Sequence, residues 1–315
     1  MPRYDYVSMG FYTYDCLGWP FTEVPPGGGT VLIDELTLAV SGAGGTAAIA
    51  AARMGLKTLA VAGVGDDLMG DWVLQRLKHF GVDTSGVQRR PGWKTSSSIV
   101  LTRQDGSRPA LHRGGATADF FVTEDLFSQT TDTAVFHAGG VGLMDAMDKG
   151  QSARLMKAAK AAGAITTVDV FAGSPKDLPA IAQVLPYTDY FMPSIEEAQA
   201  LCGLASHGDT AKFFLDMGVG ACVLTLGGDG AYYHDRSGVK FHIPAFDIHV
   251  KCTCGCGDAF DAGFAVGLVK GFDAETCVRF AQATSALNAT GLGSQAGVES
   301  FEHTLAFMKN TKTRR

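Results

Sequence analysis

The chain has 315 residues, 46% hydrophobic and 18% charged, with a formal net charge of 26 − 32 = −6. High apolar content and low net charge exclude global disorder, and the mildly acidic balance, with no Lys/Arg block before the tail at 309–315, argues against a nucleic-acid partner. No stretch reaches the roughly 18 uninterrupted apolar residues of a membrane span, and the N-terminus lacks a signal-like apolar core, so a cytoplasmic protein is expected.

Tyr4–Met9 reads as a first strand ending at Gly10. After a Pro25–Gly29 loop, Thr30–Val40 is rich in β-branched and apolar residues and reads as strands of a partly exposed sheet. Gly42-Ala-Gly-Gly45 opens an Ala-rich helix over Thr46–Met54, closed by Gly55. Thr58–Val64 is a strand and Leu68–Phe80 an amphipathic helix closed by Gly81. Thr95–Thr102 and Ala110–Arg113 flank a turn at Gln104–Ser107 and form a hairpin. Downstream, strands at Thr133–Ala138, Ile165–Val170, Tyr190–Met192 and Ala221–Leu226 alternate with helices at Ser152–Ala162 and Ile195–Leu201, the latter capped by Ser194. Ala231–His234 and Val239–Ile243 suggest a second hairpin. Asp258–Leu268, Ala274–Thr290 and Phe301–Met308 read as helices.

From Ala47 onward the β-α-β-α order implies an α/β protein with a mostly parallel central sheet flanked by helices. The hairpin-like regions near 12–40 and 94–114 interrupt that order and are expected to pair into one small sheet beside it.

Seven cysteines, an odd number with no secretion signal, fit reduced thiols. Cys252-Thr-Cys-Gly-Cys256 lacks the paired spacing of a structural zinc site. His112 and His137 stand without ligand spacing and read as packing or surface residues. No P-loop, H-E-x-x-H or G-x-S-x-G motif occurs.

Three segments carry chemistry. In Cys254-Gly-Cys-Gly-Asp258 a Gly-x-Gly turn runs into a helix. The N–H groups of Gly255, Cys256 and Gly257 there form an anion cradle, and Asp258 is either a general base or a helix cap. Cys256, at a helix N-terminus, is expected to favour the thiolate and to make activity sensitive to thiol reagents. In Thr225-Leu-Gly-Gly-Asp-Gly230, Gly227 and Gly230 would let the backbone approach a phosphate or ribose at a strand's carboxyl end. Ser41-Gly-Ala-Gly-Gly-Thr46 matches a dinucleotide fingerprint, with Asp66 downstream, and defines a rival oxidoreductase reading.

Taken together, these motifs and their order resemble the ribokinase-like (PfkB) family of carbohydrate kinases over nearly the whole chain, 1–315. Gly10-x4-Asp15 looks like the family's substrate strand end. Ser41–Gly55 resembles its first signature, Ser194-Ile-Glu-Glu197 its Asn-x-x-Glu block, Thr225–Gly230 its nucleotide turn, and Cys252–Asp258 its second signature. The resemblance implies ATP-dependent phosphorylation of a sugar-like hydroxyl, with Asp258 as base and the 255–257 amides stabilising phosphoryl charge. It implies Asp15, Gly42, Thr46 and Arg113 around the substrate, Ser194, Thr225, Gly227 and Gly230 around ATP, and Mg²⁺ held through Glu197. The small sheet would be the family's lid and, as in many members, a homodimer contact. Thr46 and Ser194 replace family Asn residues, Phe171 would form a pocket wall, and Cys252 replaces an Asp of a monovalent-cation loop, which argues against strong K⁺ dependence. If Arg113 faces the pocket, a sugar acid is implied; if not, a neutral ketose or pentose. A nucleoside kinase and a non-catalytic binder on the same scaffold are the alternatives.

Overall fold

Apolar residues on both sides of a strand require a layer on each face, and the core is built on that rule. The computed structural model describes residues 2–314; Met1 and Arg315, the outer limits of the expected domain and of the basic tail, lie outside them. The strands are β1 (Tyr4–Gly10), β2 (Thr13–Trp19), β3 (Glu35–Ser41), β4 (Thr58–Gly65), β5 (Asp83–Arg90), β6 (Ser97–Leu101), β7 (Ala110–Arg113), β8 (Thr133–Val141), β9 (Ile165–Val170), β10 (Tyr190–Phe191), β11 (Ala221–Thr225), β12 (Ala231–Asp235) and β13 (Lys240–Ile243). The helices are α1 (Ala43–Arg53), α2 (Leu68–His79), α3 (Glu124–Thr131), α4 (Gln151–Ala161), α5 (Leu178–Ala182), α6 (Ile195–Cys202), α7 (His207–Asp216), α8 (Cys256–Val269), α9 (Ala274–Ala289) and α10 (Phe301–Asn310).

Nine strands form the main sheet in the order β13-β12-β11-β10-β9-β8-β1-β4-β5. All pairings from β5 to β11 are parallel, and the β11–β12 and β12–β13 pairings are antiparallel. Alternation along β1 and β8 divides the core. Val7, Met9, Phe136 and Ala138 pack with Phe191 and Phe214 on one face. Tyr6 and Val135 pack with α1, α8 and α9 residues such as Ala47, Ala262 and Phe280 on the other. The chain runs from β1 outward to β4 and β5, then restarts at β8 on the opposite side of β1. That reversal opens a crevice at the carboxyl ends of β1 and β8, where open α/β sheets take ligands.

A second sheet has the order β3-β2-β6-β7, joining the 12–40 and 94–114 regions as expected. Its inner face carries Leu17, Ala39 and Val100, buried against Cys252, Cys254 and Leu292. The small sheet therefore leans over the turn that leads into α8.

Several boundaries differ from the sequence reading. Of Thr30–Val40 only the part from Glu35 is strand, within β3; Leu32 is 91% exposed, so the run before it is surface loop. The partner of β3 is β2, which the chain-order reading left unassigned. Helix α1 starts at Ala43, because Gly44 and Gly45 pack where a side chain would strike Tyr12. The polar edge strand β5 and helices α3, α5 and α7 add to the expected set.

Candidate active site

Two helix N-termini meet above the crevice. Gly10 ends β1 against Gly139 and α1: a Cβ there would stand 2.5 Å from Gly139 O and 2.9 Å from Gly44 N. Only glycine lets α1 begin so close to the sheet. Gly42 caps α1 at φ 82° with no side-chain cap. Gly255 caps α8 at φ 69°, and a Cβ on it would lie 2.9 Å from Thr46 Cγ2 and 2.9 Å from Ser294 Oγ.

The amides at the head of α8 are not equivalent. Cys256 N–H turns back to Thr253 O at 3.4 Å. Among the described residues, Gly255 and Gly257 N–H find no partner, and the space over Gly257 is open. The cradle is thus carried by Gly255 and Gly257 more than by Cys256, with the helix dipole adding positive potential.

Asp258 lies in the first turn of α8. Burial raises its carboxyl to about 6; the Thr46 hydroxyl and the Arg108 guanidinium oppose that rise, whereas Glu197 and Asp15 add to it. Thr46 is fully buried, and its hydroxyl has no fixed partner elsewhere. A carboxylate poised near neutrality beside free amides can take a proton from a hydroxyl while the amides hold an anion.

Behind Asp258 lie acids that the sequence reading did not single out. Asp169 is next to last in β9 and Asp261 sits one turn along α8; burial holds both carboxyls well above the usual range. His137 Nε2 faces Asp261 Oδ2 at 3.8 Å, and His137 Nδ1 pairs with Thr167 Oγ1 at 2.9 Å. Burial lowers His137 to about 3, so the imidazole is neutral. His137 is a packed core residue, as expected.

The register of the small sheet sorts the substrate candidates. Asp15 pairs with Ala39 and Ser98, and Ser98 with His112, so Asp15, Ser98 and His112 share the inner face. Asp15 is 7% exposed, and its Oδ1 has no partner. Ser98 Oγ and His112 Nδ1 stand 3.0 Å apart. Arg113 pairs with Ser97 and Ser97 with Tyr14, whose ring packs edge-on against Trp72. Side chains alternate across a strand, so Arg113 stands on the face opposite Asp15, and its Nη2 donates to Thr95 O at 3.1 Å. The expected Arg113 contact is therefore not brought together with Asp15, Gly42 and Thr46. Arg108 comes closer instead. The β6–β7 turn docks on the segment before α8, where Thr253 Oγ1 donates to Gly106 O and Arg108 Nε donates to Thr253 Oγ1, each at 3.2 Å. Hairpin register, invisible in composition, is what sets Arg113 on the far face. Phe171, half exposed, meets Phe11 edge-on at 6.3 Å and walls the crevice.

At the far side, Ser194 bridges to Thr225 across the sheet edge, so these two candidates are neighbours. Ser194 and Glu197 form a capping box: Ser194 Oγ donates to Glu197 Oε2 at 2.6 Å, and Ser194 N–H does so at 3.2 Å. Burial raises the Glu197 carboxyl, against these bonds. Gly227 has φ 54° with open space above it. Gly230 does not: its Cβ would strike Ile243 O at 1.9 Å, so the close approach there is to the chain itself.

Two expectations fail here. Burial pushes the Cys256 thiol up to about 11, outweighing the helix dipole, and its sulfur accepts from Asn288 Nδ2 at 3.4 Å. The low thiol is Cys252, fully buried and lowered to about 5 by hydrogen bonds from Cys254 and Thr102. The dinucleotide reading also fails, because Gly42–Gly45 follows β3, an antiparallel edge strand of the small sheet, and not a central parallel strand. Asp66 is exposed and pairs with Arg89 at 3.4 Å.

Among known proteins, a model described as pfkB family carbohydrate kinase matches residues 19–300. The chain is 30% identical to fructokinase-1 of Zea mays over 74% of each sequence. It is 25% identical to the deoxyribokinase of Salmonella typhi over 89% of this chain and 91% of that protein. The fold superposes on Arabidopsis thaliana ribokinase, solved with ribose and ATP, with a TM-score of 0.82 at 22% identity, covering 98% of this chain and 99% of that one.

Proposed function

The chain belongs to the pfkB family of carbohydrate kinases, and from that premise we propose that it transfers the terminal phosphoryl group of ATP to a hydroxyl of a small neutral sugar, with Asp258 as the base. The observation that carries this reading is the single turn of α8. It joins a carboxyl raised to about 6 to two unclaimed amides, those of Gly255 and Gly257.

The inner face of the small sheet supplies the sugar floor. Asp15 accepts sugar hydroxyls, Ser98 and His112 extend the polar row, and Phe11 and Phe171 offer an aromatic wall. Gly42 and Thr46 close the pocket beside Asp258. With Arg113 on the opposite face, the inner row of Asp15, Ser98 and His112 presents no arginine or lysine to a substrate carboxylate, which supports a ketose or pentose over a sugar acid. Asp258 takes the hydroxyl proton, and the Gly255 and Gly257 N–H groups receive the charge that develops on the phosphoryl oxygens. Arg108 adds a cation at the mouth of that cradle and holds Asp258 toward its ionised form.

The residues present fit a magnesium nucleotide. Glu197 and Asp169 line the crevice on the side where Ser194, Thr225 and Gly227 open to the nucleotide. Glu197 would hold Mg²⁺, which would offset the charge of the donor's phosphates. Gly230 takes no direct part. The small sheet acts as the lid that shuts water out. Its outer row, Leu38–Cys16–Ile99–Leu111, exposes Leu38, Ile99 and Leu111 by 41%, 53% and 67% and serves as the contact between two copies.

The test is ADP release with MgATP over a panel of sugars, sugar acids and nucleosides. A neutral ketose or pentose stimulates turnover. Turnover with a sugar acid or a nucleoside alone would move the substrate assignment to that class, and ligand binding without turnover would favour the non-catalytic alternative.

A further inference from the structure

Outside the crevice, two arginines share one aromatic ring. Arg53, at the end of α1, places its guanidinium 5.3 Å from the centre of Phe80, and Arg76 of α2 stands 4.5 Å from the same ring. Both line a cavity of about 180 Å³ between α1, α2, β3 and the loop 292–296. At about 30 Å³ per water this is room for about six waters, the scale of a phosphate with a small organic tail. Among the described residues neither guanidinium has a carboxylate within ion-pair distance. Burial lowers the Arg53 guanidinium, the Glu299 charge raises it, and the like charge of Arg76 lowers it again. Two like charges on one ring repel, and an anion between them removes that cost.

The cavity is also wired to the cradle. Arg53 Nη1 donates to Gln295 O at 3.1 Å, and Gln295 N–H donates to Asn288 Oδ1. Asn288 Nδ2 donates to Cys254 O at 2.7 Å and to Cys256 Sγ at 3.4 Å. Gln295 is held at φ 67°, the positive-φ residue other than glycine among the described residues. Such backbone persists only where its surroundings over-determine it. Beside it, Ser294 Oγ pairs with Ser41 Oγ at 2.8 Å and abuts Gly255.

We infer that the Arg53–Arg76 cavity is a second anion site, which takes a phosphoryl dianion and reports its occupancy to the head of α8 through Gln295 and Asn288. This goes beyond the sugar-kinase reading and does not require it. A phosphate carries nearly two negative charges at neutral pH, which matches two guanidinium forks better than a single carboxylate does. The anion draws Arg53 and Arg76 together, fixes Gln295, and thereby fixes the Cys254 carbonyl that begins the cradle turn. Linkage makes the effect mutual, so nucleotide bound at the cradle alters phosphate affinity as phosphate alters nucleotide affinity.

The experiment uses the full chain and Arg76→Gln, whose lost side chain makes no hydrogen bond among the described residues, with Arg76→Lys as the charge-retaining control. Phosphate binding is read by calorimetry and by Tm at constant ionic strength. One arm uses inorganic phosphate, the other glycerol phosphate, to separate a free ion from an esterified one. MgADP affinity is then measured with and without phosphate. Saturable binding that Arg76→Gln weakens about tenfold and Arg76→Lys weakens less supports the site. A phosphate-dependent change in MgADP affinity that disappears in Arg76→Gln supports the wiring. Equal phosphate binding by wild type and Arg76→Gln assigns the ion to the cradle and overturns the site, as does no saturable binding at all. Binding that leaves MgADP affinity unchanged overturns the wiring. Asp258→Asn, which removes the proposed base, still binds phosphate at this site if the inference holds, so a failure of the kinase reading stays separate.

Discussion

Ser194 Oγ donates to Glu197 Oε2 at 2.6 Å, closing the capping box that starts α6. The acid proposed to serve the metal is therefore also the acid that fixes its own helix. Removing the hydroxyl takes away a bond that lowers the Glu197 carboxyl, and Glu197 is then charged less readily in its buried setting. We expect Ser194→Ala to raise the Mg²⁺ concentration needed for half-maximal activity several-fold and to lower Tm by a few degrees, as cap losses of about 1 kcal/mol do. Magnesium titrations of initial rate, beside thermal melts, check both. An unchanged magnesium curve would separate Glu197 from the metal.

Asp258 gives a pH dependence of defined sign. The base works ionised, so kcat/KM falls as pH drops through about 6. The stability effect runs the other way. The folded pKa lies above that of the unfolded chain, so the native state binds the extra proton between roughly pH 4 and 6, and its contribution is lost as pH rises through that window. Asp258→Asn is therefore expected to raise Tm at neutral pH while it removes activity. A variant melting below wild type at neutral pH would contradict the burial that raises this carboxyl.

Arg108 tests which arginine matters. Its charge holds Asp258 down, so Arg108→Ala moves the acid limb of the rate profile to higher pH and lowers kcat. Arg113→Ala leaves the limb in place, because that side chain is tied to the Thr95 carbonyl on the other face. A limb that moves with Arg113 and not with Arg108 would reverse the assignment.

The thiols make a negative prediction. Burial holds Cys256 protonated and Cys252 is inaccessible, so thiol reagents label both slowly under native conditions and Cys256→Ser keeps activity within a few-fold. Mass spectrometry of the labelled native protein checks it; rapid stoichiometric loss of activity on labelling Cys256 would restore the reactive-thiolate view.

The outer face of the small sheet predicts its own readout. Ile99→Lys places a charge in the middle of the Leu38–Cys16–Ile99–Leu111 row and gives a monomer by sedimentation or light scattering, with the melt unchanged. Equal mass for wild type and variant would remove this face as the contact.

Much of this is legible in the sequence, and the misses have physical causes. Gly10 and Gly42 stand where backbones meet, and Gly255 where the Thr46 and Ser294 side chains close in, so spacing alone located both helix heads. The pairing of the 12–40 and 94–114 regions followed from their hairpin character. The strand β5, Asp-Thr-Ser-Gly-Val-Gln-Arg-Arg, escaped because an edge strand need not be apolar. Arg113 was a candidate and Arg108 was not singled out, because a sequence does not reveal which face of a strand a residue takes until the register is known. Gly230 was read toward a ligand because close approach to Ile243 leaves the same signature as close approach to a phosphate. The thiolate at Cys256 failed for a similar reason: the helix dipole is written in the sequence, whereas burial beneath Asn288 is not. Asp169 and Asp261 gave no motif of their own, and only the fold gathers them beside Glu197 and Asp258.

The most direct test of the account is ADP release with MgATP and the best sugar of the panel, measured for wild type and Asp258→Asn side by side. The account predicts sugar-dependent turnover that falls by about 10²–10⁴-fold in the variant, with sugar affinity retained. Turnover that survives the substitution within a few-fold would contradict it and remove Asp258 as the base.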